Sequence, residues 1–196
     1  LKERYDEMTT QKEDLEKAEQ DLREAIDKIK TEMLAQFDEG FTKINENFQR
    51  IFKELFGGGR AMLELDYSEV DDKLEAGVEI IAEPPGKKLQ KLSLLSGGEK
   101  ALTAIAILFS ILKLRPMPFC VLDEIEAALD EANVDRFARY LKKFSDETQF
   151  IVITHRKPTM ELADALFGVT MQEKGVSKMV SVKLSDIADI EGKDLA

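Results

Sequence analysis

Apolar residues recur at steps of three and four over most of the first 56 positions. Mostly charged residues separate them, and no proline interrupts the run before Gly57-Gly58-Gly59. The members of this apolar stripe are Met8, Leu15, Ala18, Leu22, Ile26, Ile29, Met33, Phe37, Phe41, Ile44, Phe48, Ile51 and Leu55. The spacing predicts a coiled coil or a long amphipathic helix. At about 1.5 Å per residue, such a helix is roughly 80 Å long.

One apolar stripe facing water does not stabilise an isolated helix, so this segment needs a partner. A second helix is one candidate, and the chain's own core is the alternative. The more apolar part, from Phe37 to Phe56, is expected to dock on the globular part. We therefore assign residues 1–56 to a coiled-coil arm and residues 57–196 to a globular lobe.

Beyond the glycines the pattern changes to short extended segments and helices. Ala61–Asp66 and Gly77–Glu83 predict a β-hairpin with a long loop, because a polar segment separates them. The later elements are predicted as helix Glu99–Leu114, buried central strand Phe119–Leu122, helix Asn133–Phe144, strand Phe150–Thr154, helix Thr159–Leu166 and hairpin Gly168–Leu184, which turns at Lys174-Gly175. This alternation predicts an α/β fold with a mostly parallel sheet, flanking helices and β-hairpins.

Composition narrows the class of protein. With 43% hydrophobic and 34% charged residues, the 196-residue chain can bury one modest core. A net charge of −11 argues against nucleic-acid binding by this chain alone. No apolar run is long enough to span a bilayer, so a cytoplasmic location is expected. The single cysteine, Cys120, and the single histidine exclude a disulfide within the chain and a Cys/His metal cluster.

Two adjacent carboxylates, Asp123 and Glu124, directly follow the apolar run 119–122. In nucleotide hydrolases the first acid of such a pair holds Mg²⁺, usually through water, and the second can deprotonate an attacking water. Asp123 is therefore the candidate metal residue and Glu124 the candidate general base. The alternative is that the pair begins a loop or places negative charge at the start of a helix.

A glycine turn, Ser96-Gly97-Gly98-Glu99, precedes the apolar helix. Two glycines let backbone amides approach an anion where the helix dipole is positive, which predicts a phosphate site. The alternative is that Ser96 caps the helix and nothing binds there.

The glycine turn, the acid pair and His155 follow one another in the order found in ABC-type ATPases. The segments LSLLSGGEKALTA at 92–104, VLDEIEAALD at 121–130 and GVTMQ at 168–172 closely resemble the SMC branch of that superfamily. The chain as a whole is most similar to the bacterial SMC family of chromosome condensation and segregation ATPases. The resemblance implies the carboxyl-terminal lobe of an ABC-type head, preceded by a coiled-coil helix.

The resemblance also implies roles for individual residues. Glu124 would be the general base, and Asp123 would organise Mg²⁺ at bound ATP. The remaining implied roles are a signature motif at Ser96, Gly97, Gly98 and Glu99 that reaches the γ-phosphate on another head, a D-loop ending at Asp130, and a switch histidine at His155. A lone histidine after a strand is otherwise usually structural.

The phosphate loop Gly-x4-Gly-Lys-[Ser/Thr] does not occur in this sequence. Its nearest candidate, Gly86-Lys87, has Ile81 where the first glycine belongs. By resemblance that loop belongs to an amino-terminal lobe of the same protein, whose outgoing arm would pair with residues 1–56. The further implied partners are a second head in an ATP-dependent homodimer, the winged-helix domain of a kleisin subunit, and DNA through the whole complex, with no membrane.

Two other functions remain open. The hairpin from Val169 to Leu184 suits a non-catalytic module that docks another protein, such as a kleisin, and a coiled-coil scaffold would account for residues 1–56 alone. A related ATPase of DNA double-strand-break repair shares the head and coils, although the segment at 168–172 favours the SMC type. Without a phosphate loop, the chain alone is expected to be catalytically inactive.

Overall fold

A computed structural model describes residues 2–68, 70 and 72–183. The chain divides into two compact units, residues 1–44 with 65–78 and residues 45–64 with 79–196. Among the described residues, no helix is long and apolar enough to cross a membrane.

The long helix predicted by the apolar stripe is confirmed as α1, Lys2–Phe56, with 55 residues. It ends where Gly57, Gly58 and Gly59 all take positive φ angles, which side-chain-bearing residues rarely adopt. Gly59 is also sterically required, because a Cβ there would lie 2.3 Å from the Glu83 carbonyl oxygen. The glycines therefore end the helix through backbone conformation and close packing.

In the first unit, the apolar stripe of α1 is exposed from Met8 to Met33, with Leu15 71% exposed. The loop after residue 66 contacts the helix through charge. Lys30 lies 3.7 Å from Asp72, and Lys73 pairs with Asp38. These contacts leave the stripe itself uncovered by the described residues.

In the second unit, the last turns of α1 are buried, as predicted for the Phe37–Phe56 segment. Phe48, Phe52 and Leu55 are fully buried. The first strands form a three-stranded sheet in the order β1, Arg60–Asp66; β2, Gly77–Glu83; β3, Gln90–Lys91. Because β1 and β2 are neighbours, the predicted pairing of these two segments is confirmed.

The centre of the second unit is built from alternating helices and strands. After a 3₁₀ turn at Leu92–Leu94, the elements are α2, Gly97–Leu114; β4, Phe119–Asp123; α3, Glu131–Phe144; and β5, Gln149–Ile153. Strands β4 and β5 pair in parallel, with Asp123 opposite Ile153. The Phe109 ring of α2 lies 5.1 Å from the ring of Tyr140 and 5.7 Å from that of Phe144, both on α3. Burial raises the pKa of Tyr140 to about 12.

The prediction that the 119–122 strand is buried on both faces is wrong for the described part of the chain. Leu122 is buried, but Phe119 is 56% exposed, and Val121 is exposed to a similar extent. Ile151 and Ile153 on β5 are exposed on the same sheet. The described helices cover only one face of the β4–β5 pair. The strand is apolar throughout, but the side chains on its other face are not covered by the described residues.

The last described elements are α4, Lys157–Glu161; β6, Ala165–Glu173; and β7, Val176–Lys183. The prediction placed the helix at Thr159–Leu166, but Pro158 starts it earlier and the chain is extended again from Ala165. Strands β6 and β7 are antiparallel and turn at Lys174-Gly175, as predicted. The predicted end of this hairpin, Leu184, lies outside the described residues.

Candidate functional site

The acid pair lies where β4 ends, beside the end of β5. The two strands are parallel, so their carboxyl ends share one edge of the sheet. There Asp123 is the last paired residue of β4, and Glu124 and His155 lie just beyond the strands. The Glu124 backbone amide donates a hydrogen bond to the Ile153 carbonyl, with the nitrogen 2.9 Å from the oxygen. This bond joins the beginnings of the two loops that carry the candidate catalytic side chains.

Glu124 has an unusual backbone conformation. Its φ is +46°, and it is the only non-glycine residue with positive φ in the described part of the chain. Residues with a Cβ adopt this region at a cost of about 1–3 kcal/mol, often at functional sites. The resulting turn brings Glu124 Oε1 to 3.2 Å from His155 Nδ1, and both side chains are more than half exposed.

The Asp123 carboxylate is exposed and has no hydrogen-bonding or ionic partner among the described residues. No group of three His, Cys, Asp or Glu side chains in those residues could enclose a metal. Mg²⁺ commonly keeps several waters and binds through one or two carboxylates plus substrate phosphates. One free carboxylate at a strand end fits that kind of site.

The glycine turn forms the start of α2, with Ser96 as its N-cap. The Ser96 amide and hydroxyl both donate to Glu99 Oε2, at 3.0 and 2.7 Å, and Lys87 Nζ lies 2.8 Å from the same oxygen. Burial acts to raise the pKa of Glu99, but the bonds from Lys87 and Ser96 outweigh it and hold that pKa below its ordinary value. The Ser96 hydroxyl must therefore leave Glu99 before it can donate to a phosphate.

The glycine turn borders an open cleft of about 500 Å³. The residues that line it are Phe56, Pro84, Pro85, Ser96, Gly98, Glu99, Ala128, Asp130, Asn133 and Arg136. Gly98 lies close to the opposite wall, since a Cβ on it would be 3.3 Å from the Ala128 carbonyl oxygen. A Cβ on Gly97 would meet open space. A Cβ would therefore be crowded at position 98 and not at position 97.

Asp130 serves as the N-cap of α3. Its Oδ1 accepts from the Asn133 amide at 2.8 Å, and its Oδ2 accepts from the Asn133 side chain at 3.1 Å. On the next turn, Arg136 donates to the Phe56 carbonyl at 3.0 Å, at the end of α1. One wall of the cleft is therefore tied to the end of the long helix.

The predicted site residues fall into two groups. Glu124 and His155 contact each other at the sheet edge beside Asp123. Ser96, Gly98, Glu99 and Asp130 line the cleft, which Glu124 and His155 do not line. One chain therefore presents two incomplete sets of chemical groups.

Two polar residues at this site were not predicted. Glu126 is fully buried beneath the loop that carries Glu124, and Arg136 lines the cleft. Glu126 belongs to an acidic cluster with Asp123 and Glu124, which gives a weak signal. Arg136 follows Asn133 at helical spacing, but that spacing alone does not distinguish it from a solvated helix face.

Comparisons with known proteins show the family to which the chain belongs. A family model described as the RecF/RecN/SMC N-terminal domain matches residues 4–178. The chromosome partition protein Smc of Bacillus subtilis (strain 168) is 63% identical over 186 residues, which are 95% of this chain and 16% of the relative. The chain thus spans about one sixth of the curated relatives it matches.

Solved structures show the same likeness. The Smc head domain from Pyrococcus furiosus, with an extended coiled coil and bound to the C-terminal domain of ScpA, has a TM-score of 0.80 and 42% identity, covering 100% of this chain and 48% of that one. A structure from work on ATP-driven dimerization and DNA-stimulated activation of SMC ATPases has a TM-score of 0.70 and 42% identity, covering 83% of this chain and 97% of that one. With these likenesses extending over nearly all of its length, the chain belongs to the SMC family and corresponds to part of an SMC head with its coiled-coil helix.

Proposed function

We propose that this chain is the carboxyl-terminal half of the ATP-hydrolysing head of an SMC chromosome condensation and segregation protein. The observation that carries the proposal is the contact between Glu124 and His155 at the end of a parallel strand pair. Beside them lies the Asp123 carboxylate, which has no side-chain partner among the described residues. Exposed acidic groups at that edge can reach a nucleotide that lies outside the sheet.

Glu124 is the general base of the proposed reaction. Its carboxylate accepts a proton from the water that attacks the γ-phosphate of ATP, and the strained turn directs it outward. His155, 3.2 Å away, orients that carboxylate and would contact the γ-phosphate. Asp123 would hold Mg²⁺ through water, and the ion would neutralise charge on the phosphates.

The residues at the cleft and those at the sheet edge would contact two different ATP molecules. Ser96, Gly97 and Gly98 would cap the γ-phosphate of ATP held by a second head, with Glu99 releasing the Ser96 hydroxyl as they engage. Asp130 would lie at the seam between the heads. The division of the groups into two incomplete sets supports this arrangement, because two heads would then complete two sites.

Head engagement follows from differential binding. ATP carries a γ-phosphate that both heads contact, and hydrolysis removes the charge-assisted hydrogen bonds that join them. The phosphate loop comes from the amino-terminal lobe of the same protein, and α1 pairs with the arm that leaves that lobe. Opening of the heads would then be transmitted along the coiled coil to DNA held by the whole complex at the nucleoid.

The test is Glu124→Gln in the full-length protein. The substitution keeps the side-chain shape but removes the base, so turnover should fall by about 100-fold or more. ATP-dependent dimerisation should persist, because the groups at the cleft are unchanged. Dimers are measured by analytical ultracentrifugation and turnover by phosphate release. Turnover within about twofold of the wild type would reject the role of Glu124.

A second function is docking of a kleisin subunit. The hairpin β6–β7 exposes apolar side chains, among them Phe167, Val169 and Met179, and the Pyrococcus furiosus relative is bound to ScpA. We expect this chain alone to bind the winged-helix domain of a kleisin while releasing no phosphate from ATP. A pull-down beside a phosphate-release assay measures both properties on one sample. Failure to retain the kleisin would remove the docking role without affecting the catalytic one.

A further inference from the structure

Glu126 is a buried carboxylate between the two loops of the sheet edge. Its side chain is completely buried. Its Oε1 accepts hydrogen bonds from the Thr154 hydroxyl and, at 3.3 Å, from the Thr159 hydroxyl. Its Oε2 is buried without a hydrogen-bond partner among the described residues. Burying a carboxylate with one unsatisfied oxygen is energetically unfavourable. Stability alone therefore does not explain why a glutamate occupies this position.

The bonds of Glu126 join the two loops that carry the candidate catalytic side chains. Thr154 immediately precedes His155, and its hydroxyl oxygen also accepts from the Arg156 amide at 3.0 Å. On the other side, Glu126 lies two residues after Glu124. The carboxylate therefore holds the backbone on both sides of His155 against the loop that carries Glu124.

A second set of hydrogen bonds joins the same two loops. The Arg156 guanidinium donates to the Leu129 carbonyl at 3.0 Å, and the Leu129 amide donates to the Glu126 carbonyl at 3.0 Å. The loops 124–130 and 154–159 are thus joined by side chains from both directions. By contrast, Glu124 and His155 are exposed and touch each other only through one 3.2 Å contact.

We propose that Glu126 is a positioning residue, which holds the loops of Glu124 and His155 so that their side chains keep the geometry needed for hydrolysis. Glu126 touches neither nucleotide nor water in this role. Its effect is to fix two side chains that have little other support. The inference rests on the proposed ATPase function and adds a residue to it.

The test uses Glu126→Met in the full-length protein, because Met has similar volume and no hydrogen-bonding carboxylate. Misplacement of reacting groups by about 1 Å can cost on the order of 100-fold in rate. We expect kcat for ATP hydrolysis to fall by about 10- to 100-fold and KM to stay within about twofold. The thermal midpoint should change by no more than about 3 °C, because loss of the acceptor for Thr154 and Thr159 is offset by removal of a buried carboxylate. Glu126→Gln keeps an oxygen that accepts from Thr154, so it should restore kcat to within about threefold of the wild type.

Two valine substitutions provide a matched pair. Thr154→Val removes a hydroxyl bonded to Glu126 and should lower kcat. Thr148→Val likewise removes a threonine hydroxyl, here a fully buried one, which has no partner among the described residues and lies outside the cluster. It should leave kcat unchanged. Neither variant removes a group that would touch the nucleotide.

The inference is overturned if Glu126→Met retains wild-type kcat, if Glu126→Gln is as slow as Glu126→Met, or if loss of rate follows loss of thermal stability across the series. Glu124→Gln in the same assay separates this from the proposed function. An inactive Glu124→Gln beside a fully active Glu126→Met removes only the positioning role. An active Glu124→Gln removes the proposed function itself.

Discussion

At the scale of single residues, Glu124 combines backbone strain with the proposed role of general base. A positive φ of 46° is unfavourable for any residue with a Cβ, yet it turns the carboxylate toward His155. Sites of this kind commonly trade stability for activity. The strain at Glu124 should therefore lower the free energy of unfolding by a measurable amount.

Glycine and alanine at position 124 are expected to reverse their usual order of stability. Both remove the exposed contact with His155, but only alanine keeps the Cβ that opposes positive φ. We expect Glu124→Gly to exceed Glu124→Ala in free energy of unfolding by about 1 kcal/mol. Urea denaturation of the two variants measures this difference. An alanine variant equal to or more stable than the glycine variant would show that the position is not strained.

The two glycines of the turn are expected to respond differently to alanine. In a helix, alanine is favoured over glycine by up to about 1 kcal/mol. Gly97→Ala meets open space and should gain part of that amount, whereas Gly98→Ala places a Cβ 3.3 Å from the Ala128 carbonyl oxygen. We expect Gly98→Ala to be less stable than Gly97→Ala by at least about 0.5 kcal/mol in urea denaturation. Equal stabilities of the two variants would mean that the 128–130 turn can move away from the added Cβ without loss of free energy.

The sequence indicated which candidate residues lie together better than it indicated the environment of each one. Asp123, Glu124 and His155 were chosen from the order of motifs, and they lie at one sheet edge. The sequence did not indicate the positive φ of Glu124 or the full burial of Glu126, because both depend on the bonds between the 124–130 and 154–159 loops. Long-range contacts of that kind have no periodic signal in the chain.

At the scale of elements, Asn45 links α1 to β1. Its Oδ1 accepts from the Leu63 amide at 2.9 Å, and its Nδ2 donates to the Leu63 carbonyl at 3.3 Å. Since Leu63 is buried, Asn45→Ala leaves both backbone groups without these partners. We expect a loss of about 2 kcal/mol in the free energy of unfolding, measured with urea. The neighbouring, exposed Glu46→Ala should change it by no more than about 0.5 kcal/mol.

Helices with clear periods and end signals were predicted to within a few residues. The end of α1 followed from three glycines, and α2 began at the glycine turn. The later helix, α4, was placed too far along because Pro158 is an N-terminal signal that its apolar spacing did not reveal. Helix ends are therefore better predicted from glycine and proline than from hydrophobic spacing.

At the scale of the whole molecule, the uncovered apolar surfaces have a common explanation. The α1 stripe and the outer face of β4–β5 are both apolar in sequence and both exposed among the described residues. Apolar surface of this extent favours burial by about 25 cal/mol per Å². Each surface therefore predicts a partner, and under the proposed function both partners belong to the same protein: the outgoing arm and the amino-terminal lobe.

The outer face of β4–β5 allows a direct test of the missing lobe. Val121 and Ile151 are each about half exposed, at 53% and 50%, so a lysine there need not disturb the buried side of the sheet. We expect Val121→Lys and Ile151→Lys to leave the thermal midpoint of this chain within about 3 °C of the wild type, since exposed substitutions typically change stability by no more than about 0.5 kcal/mol. Both should abolish co-purification with a separately expressed amino-terminal lobe, because burying an unpaired ammonium is strongly unfavourable.

Val78 provides the control, because it is 51% exposed on β2 and belongs to the other compact unit. Val78→Lys adds the same charge at the same exposure and should leave lobe binding intact. Wild-type binding by both β4–β5 variants would show that the lobe covers another surface. Loss of binding in the Val78 variant as well would show that added charge alone disrupts the complex. Only loss confined to the β4–β5 variants supports an amino-terminal lobe that covers the outer face of the β4–β5 pair.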